Sequence, residues 1–119
     1  MQSASQAAAF YREVAERRLL WTVSDDGGFP APINSSGERT QPFWSSRARV
    51  ERIIETVAAY RGFHPVEITL EVFLERWVPG LTNDGILVGV NWTGKRATGY
   101  DVPPDRVAAC IAAVSRVGP

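Results

Sequence analysis

Asn83-Asp84-Gly85-Ile86-Leu87-Val88-Gly89-Val90 passes from a turn signal into five residues with no polar side chain. A strand with one wet face shows a polar residue at every second position, so a run that does not alternate predicts a central strand covered on both faces. Thr93-Gly94-Lys95 then turns the chain into a partner strand over Ala97 to Val102. The rest of the chain must supply the layers that cover this sheet.

Downstream, Pro103 and Pro104 open a last helix through Val114, since proline is tolerated in a first turn. Upstream, Thr69 caps a helix with Leu70, Phe73, Leu74 and Trp77 on one face, and Val78-Pro79-Gly80 is expected to end it. Val66-Glu67-Ile68 reads as a short strand. Before it lies the clearest amphipathic segment: Ser45 or Ser46 caps a helix with Val50, Ile53, Ile54, Val57 and Ala58 on one stripe, stopped by Gly62. Leu19 to Val23 is a β-type run, and Asp25-Asp26-Gly27-Gly28 turns it toward a second strand at Phe29 to Asn34. Pro30 and Pro32 remove donors there, so that strand is expected at an edge. Ser3 or Ser5 caps a first helix carrying Ala7, Phe10, Tyr11, Val14 and Ala15, which Arg17 and Arg18 close. The order α-β-β-α-β-α-β-β-α predicts a single α+β domain over residues 1–119. Its sheet is mixed or antiparallel, of about five strands, packed with about four helices.

A chain of 119 residues with 45% apolar and 22% charged side chains is of ordinary globular composition. Thirteen basic residues balance 13 acidic ones, which removes the long-range attraction that general nucleic-acid binding needs. Cys110 is the only cysteine, so no internal disulfide forms and a reducing compartment is expected; in its alanine-rich helix it reads as a small buried thiol. Met1 to Ala9 show neither a basic nor an apolar leader segment, and no run is long enough to span a membrane. Lys95 is the one lysine among the 13 basic residues, an arginine bias that suits a GC-rich bacterial genome. A cytoplasmic location follows as the expectation.

Chemistry-bearing patterns are few. Gly89 to Lys95 spells the first seven positions of a phosphate-binding loop, but Arg96 stands where Ser or Thr would hold magnesium, and a strand follows rather than a helix. His64, the only histidine, reads as structural or exposed. Glu71 and Glu75 lie one turn apart on a solvated face, with Arg76 beside them. No catalytic residue, cofactor or metal is assigned. One turn does suggest binding: Ser45, Ser46, Arg47 and Arg49 place hydroxyls, N–H groups and cations at a helix start, with Trp44 beside them. Pairing of these arginines with Glu51, Glu55 or a neighbouring loop is the alternative. Trp21 and Trp77 are expected in the core. Trp44 and Trp92 sit at element ends and are expected at a surface site.

Leu70-Glu71-Val72-Phe73-Leu74-Glu75-Arg76-Trp77-Val78-Pro79-Gly80-Leu81, then Asp84 to Val90, resembles a bacterial family catalogued as domain of unknown function 2750. Trp21-Thr22-Val23, Pro42-Phe43-Trp44 and Val102-Pro103-Pro104 are similar too, so the resemblance covers about residues 7–111. It implies a shared fold and carries no activity. The leading expectation is a non-enzymatic module that binds another protein, with an immunity-type protein that neutralises a toxin as one form by analogy. A small-anion or nucleotide-binding domain using Ser45, Ser46, Arg47 and Arg49, and an enzyme whose site forms between two copies, are the alternatives.

Overall fold

The computed structural model describes residues 2–117; Met1, Gly118 and Pro119 of the expected domain lie outside the described residues. Helix α1 (Gln2–Arg17) leads through Arg18, held at φ 58°, into β1 (Leu19–Ser24). Then come β2 (Thr40–Phe43), α2 (Arg47–Thr56) and β3 (His64–Thr69). Residues 70–84 form one continuous helix, α3, followed by β4 (Leu87–Thr93), β5 (Thr98–Val102) and α4 (Pro104–Val117). The fold is α+β, in the order the sequence predicts.

One strand has moved. Phe29 to Asn34 is not a strand but a loop, touching the sheet through an Ile33–Arg39 bridge, the Thr40 N–H donated to Pro32 O at 2.9 Å and Asn34 Nδ2 donating to Asp101 Oδ2 at 2.9 Å. With two prolines in six residues the segment lacks the donors a ladder needs. The strand that pairs is Thr40–Phe43, which runs parallel to β4 in register Thr40–Leu87 to Phe43–Val90. Its own Pro42 does not prevent this. Strand β4 is central, with β5 antiparallel on its other side.

Strands β1 and β3 pair antiparallel as a second ladder. The two ladders meet at one antiparallel bridge: the Trp21 N–H donates to Trp44 O and the Trp44 N–H to Trp21 O, both at 2.7 Å. The resulting order is β3-β1-β2-β4-β5, and alternation sends successive side chains to opposite faces. Ala7, Phe10 and Val14 of α1, Phe73 and Leu81 of α3, and Val107 and Ile111 of α4 cover Leu20, Phe43, Val88 and Val90. Val50, Ile53 and Val57, with Tyr60, cover Trp21, Val23, Trp44 and Trp92 on the other face.

A β-bulge decides where Trp92 goes. Register shifts between Val90 and Thr93, and Asn91 there has φ 50°. The extra residue reverses the alternation, so Trp92 joins the α2 face although Val88 and Val90 point to the other. Its indole lies across two glycines: a Cβ on Gly89 would stand 2.3 Å from the ring and one on Gly99 2.9 Å. Trp44 and Trp92 are thus interior, 0% and 6% exposed, not surface residues. Their N–H groups are satisfied internally, Trp44 Nε1 donating to Trp92 O at 2.9 Å and Trp92 Nε1 to Tyr100 O at 3.3 Å.

Several helix boundaries also differ. Ser3 and Ser5 lie inside α1 and do not cap it. Helix α2 stops at Thr56, before a short 3-10 turn at Ala58–Tyr60, and Gly62 (φ 87°) turns the chain after that. Pro79-Gly80 does not end α3, which runs on to a left-handed Gly85 cap at φ 69°. A proline ring crowds the carbonyl four residues back, here Glu75, and that residue sits in a π turn, Phe73–Trp77, where the Val78 N–H reaches Phe73 O. The widened turn makes room for the ring.

Candidate functional site

Ser46 caps α2, its hydroxyl accepting the Arg49 N–H at 3.2 Å. Ser45 is buried and points the other way: its N–H donates to Asn91 Oδ1 at 2.9 Å and its hydroxyl to Glu13 Oε1 at 2.6 Å. Asn91 Nδ2 donates to Ser45 Oγ at 3.0 Å and to Gln6 O at 3.2 Å. Arg49 completes the cluster, with Nε and an NH2 group on the two Glu13 oxygens at 3.2 and 3.1 Å and NH1 on Gln6 Oε1 at 2.7 Å. Five side chains from α1, the turn into α2, α2 itself and the β4 bulge thereby satisfy one another.

Burial raises the Glu13 carboxyl, but the hydrogen bonds from Arg49 and Ser45 and the Arg49 charge outweigh it and hold the group below its ordinary 4.5. Arg47 is outside this network. It donates from Nε to Glu51 at 2.8 Å and stands 5.6 Å from the centre of the Trp21 ring, a cation–π geometry. The side chains of Ser45, Ser46, Arg47 and Arg49 are therefore all engaged within the chain, and Trp44 offers no face for stacking. The turn is built as a joint between elements.

The joint forms one wall of a groove of about 950 Å³. Ser5 and Gln6 of α1 line one side, and Arg49, Arg52, Ile53 and Thr56 of α2 another. Trp92, Thr93, Gly94 and Lys95 close the third. Of the expected binding residues, Arg49 and Trp92 line it. Every charged lining residue is a cation. Arg49 is neutralised by Glu13, whereas Arg52 and Lys95 are exposed and have no ion-pair partner among the described residues.

Sequence reasoning did not single out Arg52, although it falls three residues after Arg49 and so on the same side of α2. Lys95 was visible only as the end of a loop-like string. That string is a hairpin: Gly89 lies in β4 and β5 follows the turn.

Other titratable groups lie apart. His64 is exposed at the start of β3, and Glu71 accepts from Arg18 Nε at 2.9 Å on the surface. Cys110 is half-buried rather than fully buried, beside Tyr11; burial, with Cys110 as a neighbour, pushes that phenol up to about 12. Among the described residues no helix is long and apolar enough to cross a membrane, and no group of three or more His, Cys, Asp or Glu side chains is gathered.

Residues 7–111 match the family described as "Protein of unknown function (DUF2750)". No curated protein matches the chain. Among solved structures the chain is similar to Tic22 from Anabaena, titled as a protein-transport protein, with 15% identity and a TM-score of 0.41. The similarity covers 74% of this chain and 46% of that one, so the chain spans under half of that structure's length, and likeness at this level carries no argument.

Proposed function

The chain belongs to the DUF2750 family, and we propose that it is a non-enzymatic module that binds another protein through the groove between α1, α2 and the β4–β5 turn. One observation supports this above others: the groove is preformed, because the Glu13–Ser45–Arg49–Asn91–Gln6 network ties its walls together. A rigid concavity loses little conformational freedom on binding, which favours affinity. The bacterial cytoplasm is the compartment this reading assumes, in keeping with the arginine bias and the single cysteine.

A small-anion site at the start of α2 is less well supported. The hydroxyls and cations it would use are already taken by Glu13, Glu51, Gln6 and Asn91.

The test is capture on tagged protein from the native host, with a groove variant, Arg52→Ala/Lys95→Ala, as second bait. We expect one partner in stoichiometric amount on the native bait, re-forming the complex when both proteins are purified, and depleted on the variant. Recovery of no partner that re-forms a complex would refute the reading.

A further inference from the structure

We infer that the groove receives an extended acidic segment of a protein partner, with Arg52 and Lys95 as the residues that read its carboxylates; this rests on the binding-module reading. Charge sets the class of ligand. Arg49 is compensated inside the protein by both oxygens of Glu13, so it contributes position and little field. Arg52 on α2 and Lys95 on the hairpin turn remain, two uncompensated cations on separate walls of a cavity without a lining carboxylate. Like charges held near one another with no counter-charge create a potential that attracts anionic groups and raises the association rate.

The floor narrows the chemistry. Ile53 and Trp92, 4% and 6% exposed, share the lining with the two cations. An apolar or small side chain flanked by Asp or Glu matches that lining, whereas a free phosphate matches only its cations. Extended backbone suits such a site because every second side chain leaves it on the same face, so that residues i and i+4 can meet the cations while residue i+2 meets the apolar lining. Nucleic acid is the weaker fit: the chain carries no net charge, and two free cations neutralise few phosphates.

The experiment uses a fluorescein-labelled peptide of about ten residues repeating Glu-Ser-Ala-Ser, which sets Glu and Ala by turns along one face of an extended chain, titrated with the full chain and followed by anisotropy. The same peptide with Gln for Glu, a short oligothymidylate and ATP are the comparison ligands. We expect saturable, salt-sensitive binding of the acidic peptide alone, weakened about tenfold or more in Arg52→Glu/Lys95→Glu. The milder Arg52→Ala/Lys95→Ala should fall between, and Arg61→Glu/Arg76→Glu, the same charge change at exposed sites outside the groove, should bind as the native chain does. Unaltered thermal unfolding confirms that each variant folds. The inference is overturned if the groove variants bind like the native chain, if the Gln peptide binds equally, if oligothymidylate or ATP binds more tightly, or if nothing saturates. A captured partner that stays bound to Arg52→Glu/Lys95→Glu would sink this inference and the groove as the place of contact, leaving only that the chain binds a protein; absence of any partner would remove the binding-module reading as well.

Discussion

Gly89 and Trp92 are complementary: the glycine exists so that the indole can lie flat on the strand. Adding a methyl at Gly89 puts it 2.3 Å from the ring, and the neighbour that must yield is a packed aromatic held by its own hydrogen bond. Gly89→Ala is therefore expected to cost about 1–3 kcal/mol in urea unfolding, as overpacking does. In a Trp92→Leu background the same change should cost less, and an equal cost in both backgrounds would disprove the contact. Asn91 gives a second residue-scale prediction. Its φ of 50° strains any ordinary side chain, and its amide serves Ser45 and Gln6. Asn91→Ala loses both advantages, while Asn91→Gly loses only the amide, so equilibrium unfolding should find the alanine variant weaker by about 1 kcal/mol. Neither role is legible from the residues alone. Trp92 reads as a surface aromatic because it sits at an element's end, and the bulge that turns it inward leaves no pattern in an apolar run.

Elements were legible wherever one stripe or one cap decides them. Val50, Ile53 and Val57 with Ser46, and Leu70 and Phe73 with Thr69, place α2 and the start of α3. Two of the misplacements share a cause, namely that proline acts through surroundings the local sequence does not contain. At Pro30 and Pro32 no neighbour compensates the lost donors, and the segment leaves the sheet; at Pro79 a π turn accommodates the ring, and the helix continues. The two glycines flanking this region should then respond oppositely to alanine. Gly80 is helical, and nothing lies within 4 Å of a Cβ there, so Gly80→Ala should stabilise by about 0.5–1 kcal/mol. Gly85 caps the helix at φ 69°, and Gly85→Ala should destabilise by about 1 kcal/mol. Thermal unfolding of the pair checks both signs; two shifts of the same sign would contradict a helix running unbroken to Asp84.

At the scale of the whole molecule, α1 meets α2 and the β4 bulge through two residues: Glu13 accepts from Arg49 and Ser45, and Gln6 accepts from Arg49 and Asn91. The candidate site was half legible for this reason: Arg49 and its turn stand out in sequence, but Glu13 lies 36 positions away, and only the packing of α1 on the sheet brings it to the arginine. The same packing gives the protein an acid-sensitive joint. Glu13 is held below its ordinary 4.5 in the folded state by Arg49 and Ser45 against the raising effect of burial. A depressed carboxyl contributes stability that is complete above the unfolded value and lost as pH falls through the folded one. The native chain should thus lose a share of its unfolding free energy as pH falls from the ordinary carboxyl value of 4.5 through the lower folded one. Glu13→Gln removes that share at the outset: the variant should be less stable at neutral pH and show a shallower decline over the same interval. Ser45 and Asn91 can still pair in it, so the fold persists and the comparison is of one folded protein with another. Unfolding midpoints across that range decide the matter, and parallel curves for the two proteins would mean that acid acts elsewhere and that α1 is held to the groove by its apolar face alone.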